Sequence, residues 1–297
     1  MHKLHLTKST PLSRSRLPKK PPDPTHIEQD VSPRSGAGAG TIRRLEVIES
    51  ELPVEPALRL TNAEEGIQHM LSHMFEEIPE KGLSRQKRID IFQFRQRLPQ
   101  IVMLHQLHSL FPDQQTDIDR ELMELFVSGR IKRLAIRASD DGDYALIMGG
   151  EWKDMLEKSI QNRHTLQKFH DILSAHPTAT RLSSQDVSRL SGKEITDLTN
   201  AGFLTFLPMQ AYAISLPNFG QYVGLLLRAR KIALRIIWKT PYHEMLENML
   251  EERWSPKKWR EFAGVNCNWI LHDLVGSGRC ELFQTPVGRG IVAKRSK

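Results

Sequence analysis

Apolar and polar positions first settle into a regular pattern near Asn62. The run N-A-E-E-G-I-Q-H-M-L-S-H-M-F spaces its apolar residues by three and four, which predicts a helix. L-P-Q-I-V-M-L-H-Q-L-H-S-L-F-P predicts a second helix stopped at Pro112. D-I-D-R-E-L-M-E-L-F-V-S-G predicts a third, with an aspartate available as N-cap. Alternation typical of strands follows from Arg130 to Arg137 and from Tyr144 to Met148, on either side of the turn A-S-D-D-G-D. Between the first two helices, Lys81 to Arg97 is a charged stretch that reads as a loop with a helix inside.

The same order then recurs. T-L-Q-K-F-H-D-I-L-S-A-H, S-S-Q-D-V-S-R-L-S and K-E-I-T-D-L-T-N-A-G are helical, and F-L-T-F-L-P and Y-A-I-S-L-P form a hairpin. A third round starts with a long helix after Pro217. It continues through S-P-K-K-W-R-E-F and N-W-I-L-H-D-L-V to the strands C-E-L-F-Q and G-I-V-A-K. Aligned on Gly129, Gly202 and Gly278, the three rounds share Leu122, Ile195 and Leu271, then Glu124, Asp197 and Asp273, then Leu125, Leu198 and Leu274. The period is too long for a solenoid and suits small domains in tandem. The shared glycine is expected to end the third helix in a left-handed conformation and release the chain into the hairpin.

Helix, helix, helix, hairpin is the order of a winged helix-turn-helix unit, whose last helix usually lies in the DNA groove. The expected fold is mostly α with small β hairpins (α+β), with three tandem winged-helix domains after a disordered N-terminal tail. The expected boundaries are 1–58 for the tail, then 59–155, 156–217 and 218–297. The tail is rich in Pro, Ser, Gly and charge, as in P-L-S-R-S-R-L-P-K-K-P-P, and cannot bury enough apolar surface to offset chain entropy. Its run Arg14 to Lys20 is a candidate nuclear-import signal.

Charge sharpens this picture. Residues 1–44 hold nine Lys and Arg against three Asp and Glu, residues 45–218 hold 19 against 25, and residues 219–297 hold 14 against 7. The third domain is therefore the basic folded one, which suggests a polyanionic partner. No apolar run is long enough for a membrane span and no apolar leader core stands at the N-terminus, so neither a membrane partner nor secretion is expected. Cys267 and Cys280 read as two packed thiols of a reducing compartment.

Two stretches carry the candidate chemistry. In Tyr222 to Lys239, helical spacing gathers Arg228, Lys231, Arg235 and Lys239 into one stripe, with Trp238 near its edge and apolar residues over most of the rest. Such a cationic ridge suits phosphate contacts. Arg230 projects instead into the apolar face and requires a carboxylate partner. In W-S-P-K-K-W-R, Ser255 is a candidate cap and Pro256 a candidate first helical residue. That would place Lys257, Lys258 and Arg260 at a helix start, just after Arg253. Ser255 in Ser-Pro-Lys-Lys is also a candidate phosphorylation site.

Other chemistry is not supported. His69 with His73 and His105 with His108 lack a third ligand, so no metal or other cofactor is expected, and no Gly-x-Ser-x-Gly elbow occurs. Asp273 and its equivalents read as supports of the third helix.

From about Leu98 onward the chain resembles the family named serine/threonine-protein kinase 19. L-P-Q-I-V, F-P-D, E-I-T-D-L-T-N-A-G-F-L-T, L-P-N-F-G, W-K-T-P-Y-H-E-M-L and L-H-D-L-V-G carry the likeness. The motifs of a kinase are nevertheless missing. G-A-G-A-G lies in the tail, H-D-L at His272 lacks the arginine and the asparagine, and Asp-Phe-Gly is absent. The resemblance implies a non-enzymatic nuclear protein of tandem winged helices that binds double-stranded DNA. It also implies an adaptor role in transcription-coupled nucleotide excision repair, meeting RNA polymerase II, repair factors and the transcription–repair helicase complex. Arg228, Lys239 and Arg253 match basic positions of the family, whereas Gly224, Trp238 and Pro241 stand where the family suggests cations.

Overall fold

A computed structural model describes residues 44–136 and 143–294. The import run, the glycine-rich stretch of the tail and most of the first hairpin turn fall outside these residues. Contacts divide the chain after Thr41, and every described residue belongs to the unit from Ile42 onward.

The fold is mixed α/β with small antiparallel sheets. In chain order it comprises β1 (Glu49–Ser50), α1 (Ala63–Ser72), α2 (Arg85–Arg97), β2 (Ile101–Met103), α3 (Leu104–Leu110), α4 (Gln115–Val127), β3 (Ile131–Ala135) and β4 (Tyr144–Met148). The middle holds α5 (Gly149–Ser159), α6 (Arg163–Ala175), β5 (Arg181–Leu182), a 3-10 turn at Asp186–Arg189, α7 (Gly192–Asn200), β6 (Leu204–Leu207) and β7 (Ala211–Ile214). The last part holds α8 (Phe219–Trp238), β8 (Glu244–Leu246), α9 (Glu247–Glu261), α10 (Cys267–Gly276), β9 (Cys280–Thr285) and β10 (Gly288–Ala293).

Topology repeats three times. The sheet orders are β2-β4-β3, β5-β7-β6 and β8-β10-β9, with β1 added beyond β9. Each repeat thus runs helix, short strand, helical turn or helix, helix, hairpin, and its short strand pairs with the second hairpin strand. The shared glycines behave as expected, with φ of 72° at Gly129, 88° at Gly202 and 69° at Gly278. At Gly202 the closing bonds are complete: its N–H donates to the Thr199 carbonyl, and the Phe203 N–H donates to Leu198.

Several expectations are corrected. The second predicted helix starts only at Leu104, because Ile101–Met103 pairs with β4. No aspartate caps α4; Gln114 stands at its start and Asp117 sits in its first turn. The short helix expected after Leu182 is a single 3-10 turn, with the Ser183 N–H donating to Asp186. The boundary between 155 and 156 falls inside α5, whose Trp152 packs against Phe169 and Phe203 of the second repeat. The tail reading extends to residue 58, yet β1 pairs with β9, Val54 is buried and the Leu45 N–H donates to Glu244.

The repeats are not strung out like beads. α3 of the first packs closely on α10 of the third. Gln106 donates to the Trp269 carbonyl, and Ser109 Oγ lies 2.7 Å from His272 Nδ1. α3 together with α8, α9 and β9 of the third repeat buries Trp269, Ile270, Leu271, His272, Asp273 and Leu274, and Asn268 is the exposed residue of α10.

Candidate nucleic-acid interface

α8 is built from apolar residues at helical spacing. Tyr222, Leu225, Leu226, Ala229, Ala233, Leu234, Ile236 and Ile237 are all buried, which presses one broad face into the core. The spacing leaves Arg228, Lys231 and Arg235 exposed along the opposite side, and Lys239 exposed just past the last turn. No ion pair or hydrogen bond ties these four side chains to the other described residues. Trp238 is 48% exposed beside them, and Tyr242 is 55% exposed in the following turn. Tyr242 and His243 both hold positive φ of 57°, an uncommon conformation for such side chains.

Arg230 finds the carboxylates its position demands. Its Nε donates to Asp273 Oδ2 at 2.7 Å and its Nη2 to Asp273 Oδ1 at 2.8 Å, while Asp143 accepts from Nη1 at 3.3 Å. His105 Nε2 lies 2.7 Å from the same Asp273. Burial alone would raise the Asp273 pKa, but the bonds from Arg230 and His105 outweigh it and hold the carboxyl below its ordinary value. Asp273 is wholly buried, whereas its repeat equivalents Glu124 and Asp197 are exposed, so its role belongs to the third repeat alone. The sequence showed that Arg230 needed a partner. It carried no signal for Asp143 or His105, which come from the first repeat.

The second stretch is corrected. α9 begins at Glu247, so Pro256 lies inside it and Ser255 does not cap it. Lys257, Lys258 and Arg260 therefore stand near the end of a helix, where the helix dipole favours cations and no bound anion is required. Lys258 is spoken for: its Nζ lies 2.6 Å from Glu76 Oε2 and its side chain is only 13% exposed. Arg253 and Arg260 are exposed and Lys257 is half-buried, at spacings of four and three along α9, on the side that flanks the buried Leu250 and Trp254. α8 and α9 touch one another. The structure thus brings Arg228, Lys231, Arg235 and Lys239 into one line, places Arg253, Lys257 and Arg260 on a neighbouring helix, and ties Lys258 to Glu76.

The helix before the third hairpin, α10, is buried, contrary to its usual place in a DNA groove. Both thiols are buried as expected, and burial pushes Cys267 and Cys280 each up to about 12. Among the described residues no cluster suits a metal ion, and no helix is long and apolar enough to cross a membrane.

The chain is 27% identical over 258 residues to a Schizosaccharomyces pombe protein named serine/threonine-protein kinase mug51, covering 82% of this chain and 81% of that one. It is 29% identical over 203 residues to winged helix repair factor 1 of Homo sapiens, covering 66% and 77%. It is 28% identical over 201 residues to the protein of the same name in Xenopus laevis, covering 66% and 75%. The family described as inactive serine-threonine protein kinase 19 matches residues 71–293, a description that accords with the missing kinase motifs. The chain belongs to that family.

Proposed function

We propose that this chain is a non-enzymatic nuclear repair factor made of three tandem winged-helix domains. In this reading it binds double-stranded DNA largely without regard to sequence and acts as an adaptor in transcription-coupled nucleotide excision repair, with RNA polymerase II, repair factors and the transcription–repair helicase complex as protein partners. The repair role is supported by the name its relatives carry. The winged-helix reading is supported by the thrice-repeated sheet order.

The observation that carries DNA binding is the exposed cationic line of α8. Unpaired cations on a rigid helix address phosphates, which position a duplex but carry no sequence information. Arg253, Lys257 and Arg260 extend the same surface chemistry. Since α10 is buried, the duplex would lie against α8 and α9 rather than take a helix into its groove.

A second reading draws on that same burial. With its groove-reading helix closed, the third repeat could serve only protein partners, and the chain would then be an adaptor without DNA. Fluorescence anisotropy of a labelled duplex across a salt series separates the two. DNA binding requires that affinity fall steeply with salt and that Arg228→Glu/Lys231→Glu/Arg235→Glu flatten the slope by about one unit per lost phosphate contact. Lys258→Ala should leave the slope unchanged. Absent or salt-insensitive binding would favour the pure adaptor.

A further inference from the structure

Between the first and second repeats lies a cleft of about 440 Å³ that the DNA reading does not use. It opens where Gly129 turns the chain from α4 into β3 and where α5 begins at Gly149 and Gly150. Arg130, Lys132, Lys153 and His170 line it, and no Asp or Glu does. The two repeats that form it are close to balanced, with 21 acidic residues against 19 Lys and Arg over residues 59–217. A cleft lined by cations and by no carboxylate is a local concentration of positive charge within them.

Three observations point to an anion. Lys132 is half-buried, its ammonium stands 5.5 Å over the Trp152 ring, and no carboxylate among the described residues meets it. Burial lowers its pKa, so the charge is held there at a cost. Trp152 itself is 1% exposed, forms part of the cleft wall, and its indole N–H finds no acceptor. Finally, no side chain caps α5. Its Gly149 N–H goes to the Arg130 carbonyl, while Gly150 faces open space at the positive end of the helix. Arg130 is partly engaged with Glu64 at 2.8 Å, so Lys132, Lys153 and the α5 terminus form the heart of the site.

We propose that this cleft binds a phosphate monoester on a peptide, a phosphoserine or phosphothreonine segment of a protein partner. A phosphomonoester carries close to two charges and three acceptor oxygens, which matches a site of ammonium groups and backbone N–H donors. A second groove of about 620 Å³ shares Lys153 and His170 with the first. Leu156, Ile160 and Leu166 give it apolar walls, and it offers room for the residues that flank the phosphate. A duplex would instead lay a row of phosphates along a surface, whereas a single phosphate on a narrow chain enters the cleft alone. The inference is independent of the DNA surface on α8.

The test is anisotropy with the full chain and three probes: a fluorescein-labelled degenerate peptide library with a fixed central phosphoserine, its unphosphorylated twin, and a labelled duplex DNA. The phosphorylated library should bind at least about tenfold more tightly than its twin, the worth of one charge-assisted hydrogen bond. Gly150→Glu puts a carboxylate into open space at a helix start that tolerates it, and should erase the preference. Lys132→Met, which keeps the length of the side chain, should reduce it, with the thermal melt of each variant confirming the fold. Arg228→Glu/Lys231→Glu/Arg235→Glu should leave the peptide preference intact. Equal or absent binding of the two libraries, or a preference that survives Gly150→Glu, overturns the proposal. So does loss of duplex binding in Gly150→Glu, which would assign the cleft to nucleic acid.

Discussion

A guanidinium on the apolar side of a helix carries a large desolvation cost, and Arg230 offsets it with two carboxylates, Asp273 and Asp143, which His105 also meets. Asp273 is the centre of this cluster, because it meets both Arg230 and His105. Asp273→Asn leaves Arg230 buried with Asp143 alone, and should cost about 3–5 kcal/mol, as breaking a buried pair usually does. Urea unfolding near neutral pH measures it. The pH dependence follows from the lowered carboxyl. The stabilisation is fully present above the ordinary aspartate value of 3.8 and disappears as pH falls through the lower folded value. Wild type should therefore lose stability below that value more steeply than the Asp273→Asn protein. Parallel curves would show that the carboxylate does not link folding to protons.

At the scale of elements, the closest approach between repeats is α3 against α10. Gly276 sits at the crossing, and a Cβ there would collide with the His105 carbonyl oxygen. Gly276→Ala should therefore destabilise by about 1–3 kcal/mol through overpacking. Gly278→Ala should cost about 1 kcal/mol for a different reason, its left-handed φ of 69° with nothing close by. Thermal melts of both variants check the ranking; an undisturbed Gly276→Ala protein would mean that the helices readily slide apart. The elements also mark where the sequence was legible. α1, α4, α7 and α8 announce themselves because one face repeats at helical spacing over several turns, and the three capping glycines align α4, α7 and α10. β2, β5 and β8 were missed because two or three residues carry no period and are defined by partners far along the chain. The start of α9 was misplaced because Pro256 reads locally as a first helical residue. In the structure the helix already runs through it from Glu247. The burial of α10 could not be read at all, since its apolar run fits a domain core as well as a contact between repeats.

Across the whole molecule, charge is sorted into blocks: a basic N-terminal stretch, an acidic stretch over residues 45–155, a nearly balanced second repeat and a basic third repeat. The exposed line on α8 was legible because burial of everything else on that helix is dictated by its apolar spacing. The ion pair of Lys258 could not be read, because its partner, Glu76, lies in the first repeat. In the proposed DNA-binding reading, two basic blocks are candidate sources of affinity. The cations of α8 line one exposed side of a helix, while residues 1–43 add eight Lys and Arg against three Asp and Glu. Each phosphate neutralised contributes about 0.9 to the salt slope. Removing residues 1–43 should accordingly make the slope shallower and weaken binding at low salt. The remaining affinity should still vanish in Arg228→Glu/Lys231→Glu/Arg235→Glu. If the truncated protein loses all duplex binding, the N-terminal stretch carries the affinity and the third repeat is left to proteins. If truncation changes nothing and the α8 substitutions abolish binding, the ordered cations suffice, and the basic N-terminal block serves some purpose other than holding DNA.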